Sequence, residues 1–246
     1  MCKQNIFDNE IFFEGYKNIR ANEGNANNLV EKPALFSQCP DLKGKKVLDL
    51  GCGYGENCIL FKKRGTDRVV GIDISEKMLS VAKAKNTGDN ITYIQMCMEN
   101  IGILQEHFDV VFSSLAMHYI KDFSSLCKNV FKLLNTGGYF IFSQENPINT
   151  CFTNGNRWTK DENGNVIFAN ISNYSVDGER KSKWFVDGVI KYHRTFSSII
   201  NSLVEAGFMI EKMCEPVPDI ETIKKYPKYA KDIHKPDFLI IRAKKH

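Results

Sequence analysis

The chain has 246 residues, of which 43% are apolar and 25% charged, with 33 basic against 29 acidic side chains. This is the composition of a folded globular protein, one large domain or one domain with an insertion, and it excludes a disordered chain. A net charge of +4, with the lysines scattered, is too mild to argue for nucleic acid or a membrane as partner.

From residue 45 to residue 146 strand and helix patterns alternate. KVLDLG (46–51) is a short apolar run, as expected of a strand buried on both faces. ENCILFKKRG (56–65) reads as a helix closed by Gly65, and RVVGIDI (68–74) as the next strand. Ser75 is placed to cap EKMLSVAKAKNTG (76–88), in which Met78, Leu79 and Ala82 form one stripe. ITYIQM (91–96) and FDVVFSS (108–114) are the third and fourth strands. FSSLCKNVFKLLNTGG (123–138) sets Leu126, Val130, Phe131 and Leu134 at helical spacing and stops at Gly137 and Gly138. YFIFSQENP (139–147) is a fifth strand, ended by Pro147. Between 148 and 194 the texture turns polar, with Trp158, Phe168, Tyr174, Trp184 and Tyr192 interleaved. KWFVDGVIKYH (183–193) predicts two strands around an Asp187–Gly188 turn. The segment reads as an insertion over the active face. A helix, TFSSIINSLVEAGF (195–208), and two strands, FMIEKMCEPVP (208–218) and DFLIIRAKK (237–245), complete the pattern. Such alternation predicts an α/β fold: a doubly wound, mostly parallel sheet with right-handed crossovers, whose ligands bind beyond the carboxyl ends of the strands.

The eight cysteines form no CxxC pair and have no HxxxH partner, so no metal site is expected. They read as reduced core thiols of a cytoplasmic protein. The N-terminus has no signal-peptide core, and no uncharged apolar run approaches the ~20 residues of a membrane span.

Gly51, Gly53 and Gly55 are spaced GxGxG. A dinucleotide fingerprint, GxGxxG, would need glycine at 56, where this chain has Glu56. A pyrophosphate would sit at the helix N-terminus, and a carboxylate there repels it. Asp49 adds a second acid. A cationic ligand without phosphate suits such a loop: S-adenosylmethionine carries a sulfonium and an ammonium against one carboxylate. Asp73, at the end of the next strand, is then placed to accept from both ribose hydroxyls.

At these residues the chain resembles the class I S-adenosylmethionine-dependent methyltransferases, and most of all their small-molecule methyltransferase type 11 group. VLDLGCGYG is similar to the family's first motif, GIDIS to its second, FDVVFSSLAMHYI to the fourth-strand motif and LLNTGGYFIFSQENP to the one leading into strand five. KYHRTFSSIINSLVEAGF resembles a C-terminal stretch of one subgroup, and YKNIRANEGNANNLVEKPAL its N-terminal cap. The resemblance implies a Rossmann-like methyltransferase fold with a seven-stranded sheet. It implies one domain: a helical cap over 1–44, a cofactor-binding core over 45–147, an insertion or lid over 148–194, and a C-terminal part over 195–246. It also implies S-adenosylmethionine as cofactor and S-adenosylhomocysteine as product. Carried over by position, Asp49, Gly51, Cys52 and Gly53 line the methionyl part, Asp73 binds ribose and Ile74 packs on adenine. Met98 offers backbone contact to the adenine edge, Ser114 and Leu115 lie near the sulfonium, and Tyr16 and Arg20 reach in from the cap, Arg20 towards the cofactor's carboxylate. Cys97 stands where the family often has aspartate, which shifts adenine recognition onto the backbone and Glu99.

The implied reaction is in-line displacement of the methyl group towards a small-molecule acceptor, with a base needed only if the acceptor carries a hindering proton. His118 follows strand four and either faces the acceptor or packs under the helix. Glu145 either binds an acceptor amine or caps a loop. His193, where the insertion rejoins the domain, is a third candidate for the pocket, beside Arg194. Tyr119 reads as core, and Trp158, Tyr174 and Trp184 as a lid or the insertion's own small core. The competing reading is a non-catalytic S-adenosylmethionine- or S-adenosylhomocysteine-binding regulator of the same fold. A nicotinamide oxidoreductase is disfavoured by Glu56, and RNA methylation by the lack of a basic stripe. The expected state is a monomer or homodimer.

Overall fold

A computed structural model describes residues 4–246. After the N-terminal helices α1 (Glu10–Ala21) and α2 (Lys32–Phe36) come β1 (Lys46–Leu50), α3 (Glu56–Lys63), β2 (Arg68–Asp73), α4 (Glu76–Lys85), β3 (Ile91–Gln95), β4 (Phe108–Ser113), α5 (Phe123–Leu133), β5 (Leu134–Glu145) and α6 (Pro147–Thr150). Two hairpins follow, β6 (Trp158–Lys160) with β7 (Val166–Ala169) and β8 (Gly178–Trp184) with β9 (Val186–His193). The chain ends with α7 (Phe196–Glu205), β10 (Met209–Cys214), α8 (Ile220–Lys225) and β11 (Phe238–Lys244).

Seven strands form one sheet in the order β10-β11-β5-β4-β1-β2-β3, as expected of the methyltransferase fold. Only β11 runs against the rest, antiparallel to both β5 and β10. The chain winds outward from β1 through β2 to β3, then returns to place β4 on the other side of β1. That reversal opens a crevice beyond the carboxyl ends of β1 and β4.

Alternate residues of each strand feed opposite layers, which is why the strands are apolar throughout. Val47, Val69 and Val110 pack with Phe61 of α3 and Leu79 of α4. Leu48, Val70 and Val111 pack on the other face with Leu126 and Val130 of α5 and Ile199 and Leu203 of α7. Caps stand where their residue types predict them: Ser75 accepts from Met78 N (3.1 Å), Asp122 from Ser125 N (2.9 Å) and Thr195 from Ser198 N (3.1 Å).

Three expectations are revised. β5 begins at Leu134, not Tyr139, because Leu134 pairs with Phe108 ahead of an irregularity in the ladder. The β8–β9 turn centres on Phe185 (φ 61°), not on Asp187–Gly188. Aromatic packing outweighs the local turn signal there: the Phe185 ring stacks on Trp184 (5.3 Å) and meets Phe12 of α1 edge-on (5.5 Å). Finally, Cys39, Cys52, Cys58, Cys127, Cys151 and Cys214 are free, whereas Cys97 is disulfide-bonded, so the thiols are not uniformly reduced. Cys2 lies outside the described residues. No helix among the described residues is long and apolar enough to cross a membrane.

Candidate active site

A cavity of about 430 Å³ opens at the crevice beyond β1 and β4. Its floor is the glycine loop after β1, its sides come from the turns after β2, β3 and β4, and its cover from α1 and the β8–β9 hairpin. Gly51, Cys52, Gly53, Asp73, Ile74, Met98, Ser114, Leu115, Tyr16 and Arg20 all line it. Asp49 does not; it is fully buried beneath the loop.

The loop's glycines divide their tasks. Gly55 has φ 74°, and a Cβ there would meet Tyr93 Oη at 2.2 Å, so this glycine serves the fold. At Gly53 (φ 52°) a Cβ would have nothing within 4 Å. Gly53 lines the cavity, so a side chain there would take space a ligand needs.

At this end the groups present fit S-adenosylmethionine. Asp73 Oδ1 accepts from Ser75 N and Oδ2 from Gly53 N, both at 2.9 Å. A carboxylate has about four acceptor positions, which leaves two for vicinal ribose hydroxyls. Ile74, Met78, Met96 and Met98 supply an apolar wall suited to a flat base. On the other side Glu56 Oε2 is bonded by Arg20 Nη2 and by Lys32 Nζ (2.9 Å). Burial pushes the Glu56 carboxyl up, but Lys32 and Arg20 outweigh it and hold it below its ordinary value. This corrects the expectation that Glu56 presents a bare negative charge. Two cations meet one anion, so the cluster is net positive, a charge that suits the cofactor's carboxylate.

In the turn after β4, Leu115 has φ 53°. Its N–H donates to Ser143 Oγ (3.0 Å) and Ser143 O (3.2 Å). Ser143 and Ser114 both donate to Glu31 Oε1, at 2.5 and 2.9 Å. Glu31 is fully buried, and burial raises its carboxyl against the two hydroxyls. This brace joins the cap to β4 and β5, and local sequence carries no sign of it.

His118, Tyr119, Glu145, Trp184, Ile190 and Tyr192 line the other end of the cavity. His118 is 3% exposed, and its Nδ1 accepts from the backbone N–H of Glu145 at 3.3 Å. Burial pushes its ring down to about 4. Glu145 is held by Lys191 Nζ of β9. Burial raises its carboxyl, but the charge and hydrogen bond of Lys191 oppose that and keep it below the usual range. Tyr119, expected in the core, faces the cavity instead. His193 does not line it: Nδ1 bonds Thr150 Oγ1 and Nε2 bonds Tyr174 O, both at 2.8 Å. It fastens the hairpin to α6, and no ring nitrogen remains for a substrate. Arg194 beside it is 9% exposed and donates to the carbonyls of Met117, Ile120 and Lys121, holding the turn that carries His118. Of the insertion's large aromatics Trp184 and Tyr192 reach the cavity, Trp184 packing edge-on against Phe12 (5.2 Å) and Tyr16 (6.2 Å). Tyr174 packs on α7 instead, its Oη accepting from Phe196 N, and Trp158 lies under Lys231 and Lys235.

Sequence reasoning missed Lys32, Glu31 and Lys191. Each partner lies 24 to 112 residues away, and nothing local marks a lysine or glutamate for such a bond.

Residues 48–142 match the family described as Methyltransferase domain. The chain is 39% identical to an uncharacterized protein of Haemophilus influenzae, over 99% of this chain and 98% of that one. The crystal structure of an S-adenosylmethionine dependent methyltransferase from Mesorhizobium loti superposes with a TM-score of 0.82 at 36% identity, covering 91% of this chain and 99% of the other. A ubiquinone biosynthesis O-methyltransferase of Pseudomonas fluorescens is 37% identical over 43% of this chain and 47% of its own length. With a cavity whose groups suit a sulfonium nucleoside, the chain belongs to the class I S-adenosylmethionine-dependent methyltransferases.

Proposed function

We propose that the enzyme methylates a small-molecule acceptor by in-line displacement, and that 1–44 and 148–194 act as cap and lid of one domain around the core. The observation that carries this is one continuous covered cavity. It joins the Asp73 end to an acceptor end walled by Tyr119, Trp184, Ile190 and Tyr192. About 430 Å³ falls within the usual range for small-ligand sites. A polynucleotide would need an open basic face. The match to an O-methyltransferase favours oxygen as the methylated atom.

The cofactor supplies an electrophilic methyl group on a sulfonium. The chain's own residues do the rest. Arg20 and Lys32 take the carboxylate, Asp73 the ribose, and Ile74 with Met98 the base. The Leu115 backbone, braced through Ser143 and Glu31, shapes the wall beside the sulfur. Trp184, packed on α1, excludes water, which strengthens every polar contact inside. Glu145 and His118 orient the acceptor.

The test is methyl transfer from tritiated S-adenosylmethionine into a cell extract. Label should collect in the low-molecular-mass filtrate. Label confined to precipitable RNA or protein overturns the small-molecule reading.

A further inference from the structure

Resting on the small-molecule reading above, we infer that His118 donates a hydrogen bond to the acceptor instead of removing its proton, and that the methylated atom is an oxygen already ionised on entry, a carboxylate or an acidic phenol. The tautomer carries this. The backbone N–H of Glu145 points at Nδ1 (3.3 Å), and a backbone N–H only donates. Nδ1 is therefore bare, and the neutral ring holds its proton on Nε2. Nε2 makes no hydrogen bond among the described residues, and the ring, 3% exposed, lines the cavity. Nε2 is open to the cavity, so its N–H is offered to whatever fills that space, and the substrate's oxygen accepts it in place of water.

The groups around the ring keep it a donor. Glu145 faces it from β5, Lys191 from β9, Arg194 from just beyond β9, and the Tyr119 ring lies tilted beside it with centroids 4.4 Å apart. Burial, then Lys191 and Arg194, hold the ring neutral, against the pull of Glu145. No neighbour replaces it as a base. Glu145 is held by Lys191 and lies below the ordinary carboxylate range, and burial pushes the Tyr119 hydroxyl far up. An alcohol would have to shed a proton with nowhere to send it, and an amine, even if it enters neutral, has one lone pair, which a hydrogen bond from Nε2 would occupy. An oxyanion meets neither obstacle: a further lone pair forms the O–CH3 bond as the S–CH3 bond breaks, the bonding pair passes to sulfur, and no proton moves. Lys191 offsets the charge of Glu145, so the anion is not repelled.

The acceptor oxygen loses charge as the new bond forms. A donor to it thus holds the ground state at least as strongly as the transition state, and its loss appears in KM rather than kcat.

Three experiments decide. In the S-adenosylhomocysteine complex, 15N NMR of the His118 ring, assigned by its absence in His118→Gln, should show protonated Nε2 and bare Nδ1 from about pH 6 to 8. A ring that titrates in that window, or one protonated on Nδ1 alone, overturns the inference. Adenosylhomocysteine release is then measured with a panel of carboxylates and acidic phenols beside matched alcohols and amines. Turnover should be confined to the first two. Turnover of alcohols or amines, or of no arm at all, overturns it, while calorimetry with S-adenosylmethionine separately judges the cofactor site. With the best acceptor, His118→Ala should raise KM about tenfold with kcat changed less than about threefold. His118→Gln, which restores an N–H but no base, should recover most of that loss. A fall in kcat of ~10²–10⁴ in both variants would mark a lost base instead.

Discussion

Asp73→Asn probes the cofactor site at its most constrained carboxylate. Both oxygens already accept a backbone N–H at 2.9 Å, from Ser75 and from Gly53. The amide keeps the shape, removes the charge and turns one acceptor into a donor. Whichever way it rotates, that donor faces either a backbone N–H or a ribose hydroxyl. At least one charge-assisted bond is lost, worth ~1.5–3 kcal/mol. The dissociation constant for S-adenosylmethionine should therefore rise about 10- to 150-fold, read by calorimetry. A 3′-deoxy analogue separates ribose contact from loop damage. The native protein should prefer the ribo form, and the variant should lose much of that preference. A change below about threefold in a folded variant, or an equal loss for the deoxy analogue, refutes the ribose assignment.

Two further outcomes follow from the charges. Arg20→Ala should weaken S-adenosylmethionine about tenfold but the decarboxylated cofactor far less; equal weakening would mean that Arg20 only braces Glu56. Asp49 has an oxygen without a partner, and burial lifts its carboxyl from an ordinary 3.8 to about 7 despite the Cys58 thiol. Because the folded value is the higher one, the folded protein holds a proton that the unfolded chain has released between about pH 4 and 7. That contribution is complete at low pH and lost as pH rises through 7, roughly 4 kcal/mol in all. Asp49→Asn should then gain melting temperature on the native protein at pH 8 and lose that advantage near pH 4. A pH-independent difference would show that the carboxyl is not strained.

The sheet, the crossing helices and the cofactor loop were legible in the chain because each is encoded over a few neighbouring residues. Short, mainly apolar runs mark β1 and β2, Ser75 and Thr195 mark helix starts, and Gly51, Gly53 and Asp73 occupy the positions that the strand–loop–helix unit requires. The chemistry of the far wall was not legible. Whether Glu56 is an open anion depends on Arg20 and Lys32, which α1 and α2 deliver from 36 and 24 residues away. His193 and His118 look alike as candidates in sequence, yet one has both nitrogens bonded and the other keeps one for the cavity. Local periodicity dictates which elements form. Ion pairing, tautomer and desolvation depend on which distant side chains packing brings within three or four ångströms, and only the tertiary structure decides that.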